Sequence, residues 1–207
     1  MKYLPKIVLT LLFIMVINSP IVAQQGFSIG GGLLYDVPQS EIFDEIEPGF
    51  GFIGGLGYDF HDRYGAELGV FHTSHTFRLS TEGSAIREDK SEQNAIFIKG
   101  RAIPYRKDKI EVVASAGPAF YSIYANQRSE SYITEYEEEF SGIGIITGLD
   151  LRYYATDNLA VSLYFIGNFV KYTKKTQNSL TVENPGGLPR GDSIGWGLSI
   201  FYRIGKP

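Results

Sequence analysis

Ser193-Ile194-Gly195-Trp196-Gly197-Leu198-Ser199-Ile200-Phe201-Tyr202-Arg203-Ile204 alternates at period two. Ile194, Trp196, Leu198, Ile200, Tyr202 and Ile204 fall on one face, and Ser193, Gly195, Gly197, Ser199, Phe201 and Arg203 on the other, because successive strand residues point to opposite sides. Two more segments repeat the pattern. Phe50, Phe52, Leu56, Tyr58 and Phe60 oppose Gly51, Ile53, Gly55, Gly57 and Asp59, while Leu159, Val161, Leu163, Phe165 and Phe169 oppose Ala160, Ser162, Tyr164 and Asn168. A strand of about 9 to 11 residues crosses a bilayer. Alternation of this kind over that length, apolar outward and small or polar inward, predicts transmembrane β-structure closed into a barrel.

The N-terminus carries Lys2 and Lys6, an apolar run over 7–17 broken by Thr10, then Asn18, Ser19 and Pro20, then Ile21, Val22 and Ala23. This layout predicts a secretory signal over residues 1–23, cleaved to leave a single domain over 24–207. The run is shorter than the roughly 20 residues a spanning helix needs, which makes a retained anchor the weaker reading. The formal charge is -4, and loss of Lys2 and Lys6 makes the remainder more acidic, which excludes nucleic acid as a partner. With no cysteine, the chain has no disulfide, thiolate metal site, cysteine nucleophile or lipoprotein anchor.

Strands are expected at about 26–36, 49–60, 63–77, 94–103, 110–124, 141–154, 159–172 and 192–204, making an eight-stranded antiparallel up-and-down barrel. The connections alternate in length. Those near 37–48, 78–93, 125–140 and 173–191 are long, and those at 61–62, 104–109 and 155–158 are short, as extracellular loops and periplasmic turns are in such barrels. Both termini are then periplasmic. Asp62, Lys107 with Asp108, and Asp157 with Asn158 suit tight reversals. Pro118, inside the fifth strand, predicts a bulge or a local break in the ladder. Phe27, Tyr35, Phe60, Tyr64, Tyr105, Tyr124, Tyr153, Tyr154, Tyr172 and Tyr202 lie near strand ends, where interfacial girdles form. Aromatics filling a soluble β-sandwich are the competing reading.

Alternation also sorts the charges inside the spans. Glu67, Lys99, Arg101, Glu111, Asp150, Arg152 and Arg203 all face inward. Because side chains fill an eight-stranded barrel, these residues are expected to form an ionic network that plugs the lumen, assisted by Gly30, Gly32, Gly51, Gly55, Gly57, Gly195 and Gly197.

The export signal, the eight strands, the glycine-rich inward faces and the segments Gly117-Pro118-Ala119-Phe120-Tyr121 and Gly148-Leu149-Asp150-Leu151-Arg152-Tyr153-Tyr154 resemble the small outer-membrane β-barrel superfamily of the OmpA, OmpX and OmpW type. The resemblance covers essentially all of the chain after the signal. It implies membrane-structural, adhesive or small-solute roles in a Gram-negative outer membrane. Where such barrels often end on an aromatic residue, this chain continues past Tyr202 to Pro207.

Other motifs carry less. Gly49-Phe50-Gly51-Phe52-Ile53-Gly54 matches a dinucleotide fingerprint in letters, but strand alternation runs through it, so no cofactor is predicted. His72 and His75 point to opposite faces, so no metal site is expected, and both are read as solvated loop-edge residues. His72 and Ser74 share the outward face near the rim, with Glu92 as a candidate acid, an arrangement resembling barrel enzymes that trim lipid A. The first loop carries Glu41, Asp44, Glu45 and Glu47, and the third carries Glu130, Glu135, Glu137, Glu138 and Glu139. These acids suit divalent cations or a basic protein partner over a lipopolysaccharide surface, or simply form a solvated, repulsive face. The leading expectation is a non-enzymatic envelope protein acting in integrity, adhesion or as a complex subunit, in contact with outer-membrane lipid and lipopolysaccharide. A narrow channel for small or apolar solutes is the alternative, and a lipid A-modifying enzyme the third reading.

Overall fold

Each alternating segment is a strand in the computed structural model, which describes residues 26–39, 46–79, 87–128, 135–177, 180–183 and 190–204. The strands are β1 (Gly26–Pro38), β2 (Gly49–His61), β3 (Tyr64–Leu79), β4 (Arg87–Lys107), β5 (Ile110–Arg128), β6 (Glu135–Tyr154), β7 (Leu159–Gln177), β8 (Leu180–Glu183) and β9 (Ser193–Ile204). All pairings are antiparallel, and β9 returns to join β1 on one side and β7 on the other. Eight strands, β1 to β7 and β9, therefore close a ring, while the short β8 stands outside it as a hairpin partner for the end of β7. Closure gives every barrel strand two neighbours, the condition for burying backbone amides in hydrocarbon.

The short connections lie together at one end, here the turn end: Asp62 with Arg63, Asp108 with Lys109, and Ala155 to Asn158. Asp108 adopts the left-handed conformation with φ 51°, which a short polar side chain tolerates. Thr156 Oγ1 accepts the Leu159 amide at 3.1 Å and tightens the third turn. The long connections all lie at the opposite, loop end.

Strands at the loop end run beyond the expected boundaries. β4 to β7 have 21, 19, 20 and 19 residues, whereas β1, β2 and β9 have 13, 13 and 12. Residues 87–93, 125–128, 135–140 and 173–177, expected in loops, are strand. Their sequence is largely polar, Tyr136 and Phe140 apart, so alternation is lost where the ladder continues. Pro104 also lies within a strand, at a register shift between Ala102 and Tyr105. At Pro118 the register stays constant, but the ladder to β4 lacks partners at Gly117 and Pro118 while pairing with β6 is unbroken. The missing proline N–H thus produces a local break and no bulge.

The outward face is an apolar belt. Leu33 and Phe50 are 74% and 72% exposed, and Leu56, Leu68, Ile96, Phe120, Ile143, Leu163 and Leu198 continue the belt around the ring. Water-soluble monomers rarely expose so continuous an apolar surface, whereas a bilayer-spanning barrel requires it. Aromatic contacts edge the belt: Phe27 on Tyr58 at 4.8 Å towards the turn end, and Tyr35 on Phe50 and on Trp196 at 4.9 Å towards the loop end. Tyr154 and Tyr172, expected in the girdles, face the lumen, because Tyr153 and Lys171 take the outward positions beside them.

Inside, glycines sit where neighbours approach closely. A Cβ on Gly57 would strike the Arg101 guanidinium and Ser28 Oγ, and one on Gly30 would strike the Phe201 ring. Gly54 faces outward with its nearest neighbour at 3.6 Å. Gly30→Val and Gly57→Val are each expected to lower stability by about 1–3 kcal/mol through overpacking. Gly54→Ala should stay within about 0.5 kcal/mol, and urea titration in detergent micelles measures all three.

Candidate functional site: the filled lumen

The seven inward charges expected in the lumen come from five strands of the closed ring. Lys99 and Arg101 project from β4, flanked by Glu67 on β3 and Glu111 on β5, while Asp150 and Arg152 come from β6 and Arg203 from β9. Lys99 Nζ lies 3.2 Å from Glu67 Oε1, and Arg101 Nη1 lies 3.7 Å from Glu67 Oε2. Arg101 Nη2 donates to Asp59 Oδ1 at 2.6 Å, and Arg203 Nη2 lies 3.8 Å from Asp59 Oδ2. Arg203 also reaches Glu111 Oε1 at 3.4 Å, and Arg106 Nε donates to the same oxygen at 2.7 Å. From Arg106 to Lys99 the charges form one unbroken chain of alternating sign across the turn-end half of the lumen.

Arg152 Nη2 donates to Asp150 Oδ2 at 3.0 Å, and its guanidinium lies 4.1 Å from the Phe201 ring centroid. Tyr154 knits the chain at its open end, donating to Glu111 Oε2 at 2.9 Å and accepting from Arg203 Nη2 at 2.8 Å. Asp59 and Arg106 were absent from the expected network. Asp59 was readable, since it continues the inward series of Gly51, Ile53, Gly55 and Gly57, but it lies at the strand end. Arg106 falls in 104–109, where the sequence suits a turn, and the structure extends β4 through it to Lys107.

Above the charged half the lumen is apolar. Leu34, Phe71, Phe97, Tyr121, Ile146, Ile166 and Val170 form one buried cluster facing inward. Strict apolar-out, polar-in alternation therefore fails in this layer, whose signal was the doubled apolar pair: Leu33-Leu34, Val70-Phe71, Ile145-Ile146 and Phe165-Ile166. Where the two layers meet, beside Glu67, Lys99 and Asp150, a cavity of ≈ 20 Å³ remains, about the room one water requires.

A third, polar layer crosses the loop-end mouth. Tyr121 OH donates to Asn168 Oδ1 at 3.1 Å, Asn168 Nδ2 to Ser193 Oγ at 2.9 Å, and Ser193 Oγ to Asp36 Oδ1 at 2.9 Å. His75 Nε2 lies 3.5 Å from Asp36 Oδ2 and 3.0 Å from Thr73 Oγ1, and its Nδ1 lies 3.2 Å from the Glu47 carbonyl. His75 is thus buried rather than a solvated loop-edge residue, because β3 runs on past it to Leu79. A Ser, an Asp and a His stand in line here, but the carboxylate lies between the other two, so the imidazole is not placed to take the serine proton.

On the outer wall His72 Nδ1 lies 2.8 Å from Asn94 Oδ1. Glu92, expected on a loop, lies in β4 directly across from Ser74, two pairs beyond His72 with Asn94 and therefore on the same face. The fingerprint segment 49–54 runs as regular β2 strand. Of the acidic loop residues, Glu41, Asp44, Glu45 and Glu130 lie outside the described residues. Glu135, Glu137, Glu138 and Glu139 belong to β6 rather than to a loop, and Glu139 is exposed. The Glu47 amide donates to the Thr76 carbonyl at 2.7 Å, tying the first loop to β3.

The architecture defines a class: an eight-stranded membrane barrel with a filled interior. Its fold is shared with three solved outer-membrane proteins in particular. A major outer membrane protein of Thermus thermophilus matches at TM-score 0.65 and 14% identity, over 88% of this chain and 100% of the other. OprG of Pseudomonas aeruginosa matches at 0.63 and 11%, over 87% and 96%. Ail, the attachment invasion locus protein of Yersinia pestis, solved with the heparin analogue sucrose octasulfate, matches at 0.56 and 13%, over 88% and 100%. No protein-family model matches the sequence, and no curated protein matches it.

Arg101 is the hinge of the charge chain, holding both Asp59 and Glu67. Arg101→Met is expected to destabilise the barrel by ~3–5 kcal/mol, since it leaves buried carboxylates uncompensated. Replacing Glu67 and Lys99 together by Met should cost much less than Glu67→Met or Lys99→Met alone. A double-mutant cycle in urea-titrated micelles reads the coupling.

Proposed function

We propose that the chain is an integral protein of a Gram-negative outer membrane, a closed barrel that serves as a structural and binding element of the envelope. Its role lies in integrity, adhesion or membership of a larger complex, without conduction or catalysis. The observation that carries this reading is the lumen, occupied in three successive layers by ion pairs, aromatic and aliphatic side chains, and a hydrogen-bonded polar ring. With the interior committed to packing, recognition is left to the loop end and the outer wall. The outer-membrane assignment is supported by the apolar belt with its aromatic edges and by the likeness in fold to outer-membrane proteins, one of them an attachment protein.

In this reading residues 1–23 are the export signal and both termini are periplasmic, which places the tall wall of β4 to β7 and the acid-rich connections outside the cell. Against catalysis stands the pairing of His72 with an Asn94 amide in place of a carboxylate. Against a conduit stands the apolar layer itself, a dewetting barrier even if the charges below it rearranged.

The test combines folding with conduction. Protein refolded in detergent should run as a faster band before boiling than after, and should give no stepwise current in planar bilayers. A folded band with discrete conductance that changes on Lys99→Ala would replace the reading with the narrow channel. Stable folding without detergent would remove the membrane assignment.

A further inference from the structure

The apolar belt ends differently on the β7–β9 side than elsewhere. At the loop-end margin of the other strands the outward positions are Tyr35, Phe50, His72, Asn94, Tyr124 and Ser141, none of them a permanent cation. On β7 the outward residue directly above Phe169 is Lys171, which is exposed. Across from it, in a bridge that continues the β7–β9 register, stands Arg190, with a side chain 72% exposed. Two cations thus face each other across an isolated bridge just beyond the start of β9, at the edge of the apolar surface, an arrangement that repels when nothing lies between them.

The arginine is held in place. Asp192 Oδ1 accepts the Val170 amide at 2.9 Å, and Asp192 Oδ2 takes one Arg190 Nη2 donor at 3.0 Å. The carboxylate is fixed at both oxygens, so it orients the guanidinium while leaving its remaining donors available. Lys171 has no ion-pair partner among the described residues. Lys171, Arg190 and Asp192 together therefore leave one net positive charge at the level where the belt gives way to headgroups, beside the exposed Phe169, Ile143 and Ile194.

We propose that Lys171 and Arg190 clamp a phosphate group of a membrane lipid, with Asp192 as the positioning residue. The proposal rests on the outer-membrane reading, under which this leaflet is the outer one and the lipid is a phosphorylated glycolipid of the lipid A kind. A phosphate oxyanion fits because it accepts charge-assisted hydrogen bonds from an ammonium and a guanidinium at once and relieves their repulsion. The acyl chains of the same lipid lie along Phe169 and Ile143, so one molecule satisfies both halves of the surface.

The test is retention of lipid by the full barrel released from nanodiscs into the mass spectrometer, using diphosphorylated lipid A and its fully dephosphorylated form as probes. The wild-type protein should retain the phosphorylated form at least about tenfold more, and Lys171→Gln with Arg190→Gln should reduce that preference to near unity. Lys90→Gln, which removes an exposed cation on β4, should leave it unchanged. Equal retention of both lipids, or a preference that survives the double substitution, overturns the clamp. So does complete displacement by millimolar inorganic phosphate, which would mark a site for soluble anions. Each variant is first checked for its heat-modifiable band, and Lys171→Gln alone provides a second reading. A barrel that enters nanodiscs without phosphate preference loses only the clamp, whereas one that does not enter them loses the outer-membrane reading as well.

Discussion

Ring closure at eight strands is the constraint from which the interior follows. A barrel of that size encloses a lumen only wide enough for side chains, so every inward residue must be satisfied by another inward residue. In water, Arg101, Glu67 and Lys99 would each be solvated separately. Here they are nearly fully buried, and removal from water is tolerable only because each charge lies against its opposite. The continuous chain from Arg106 through Glu111, Arg203, Asp59, Arg101 and Glu67 to Lys99 answers that demand, drawing its acids and bases from different strands, while Asp150 and Arg152 pair within β6.

The layering above the charges divides labour along the axis. The turn-end half specifies register, since an ion pair between β2 and β4 or between β5 and β9 survives only if the intervening strands sit correctly. The middle layer is packed with apolar side chains, and a low-dielectric neighbour strengthens the charge interactions beneath it. At the mouth, Asp36 binds Ser193 on one flank and faces His75 on the other, so β9, β1 and β3 are joined across the glycines of β2. The low side of the barrel, with its short strands, is thereby braced by side chains where it lacks the long ladders of β4 to β7.

Much of this was legible in the sequence because the solvent on each side of the wall differs. Leu198 and Ile200 face lipid while Ser199 and Arg203 face the lumen, so period two survives in the residues themselves. Glu67, Lys99, Arg101, Glu111, Asp150, Arg152 and Arg203 could be assigned to the interior by parity alone. Legibility stopped where the two environments became alike. Above the belt, 135–140 and 173–177 are polar apart from Tyr136 and Phe140, and the strands read as loop. In the middle layer both faces are apolar, so the contrast that marks the inward face is missing at Phe71 and Ile146. The mouth could not be read either, because the contact between Asp36 and His75 depends on strands two apart in the ring and on β3 continuing past its expected end.

The absence of cysteine from the chain makes closure of the lumen to water directly measurable. Ser162 and Ser199 are inward and almost wholly buried, and Ser→Cys at either adds little more than a sulfur. In bilayer-embedded barrel, a charged, water-soluble methanethiosulfonate reagent should leave both thiols unmodified until the protein is unfolded. Rapid modification of either one in the folded barrel would reveal a continuous aqueous path through the interior and contradict the account.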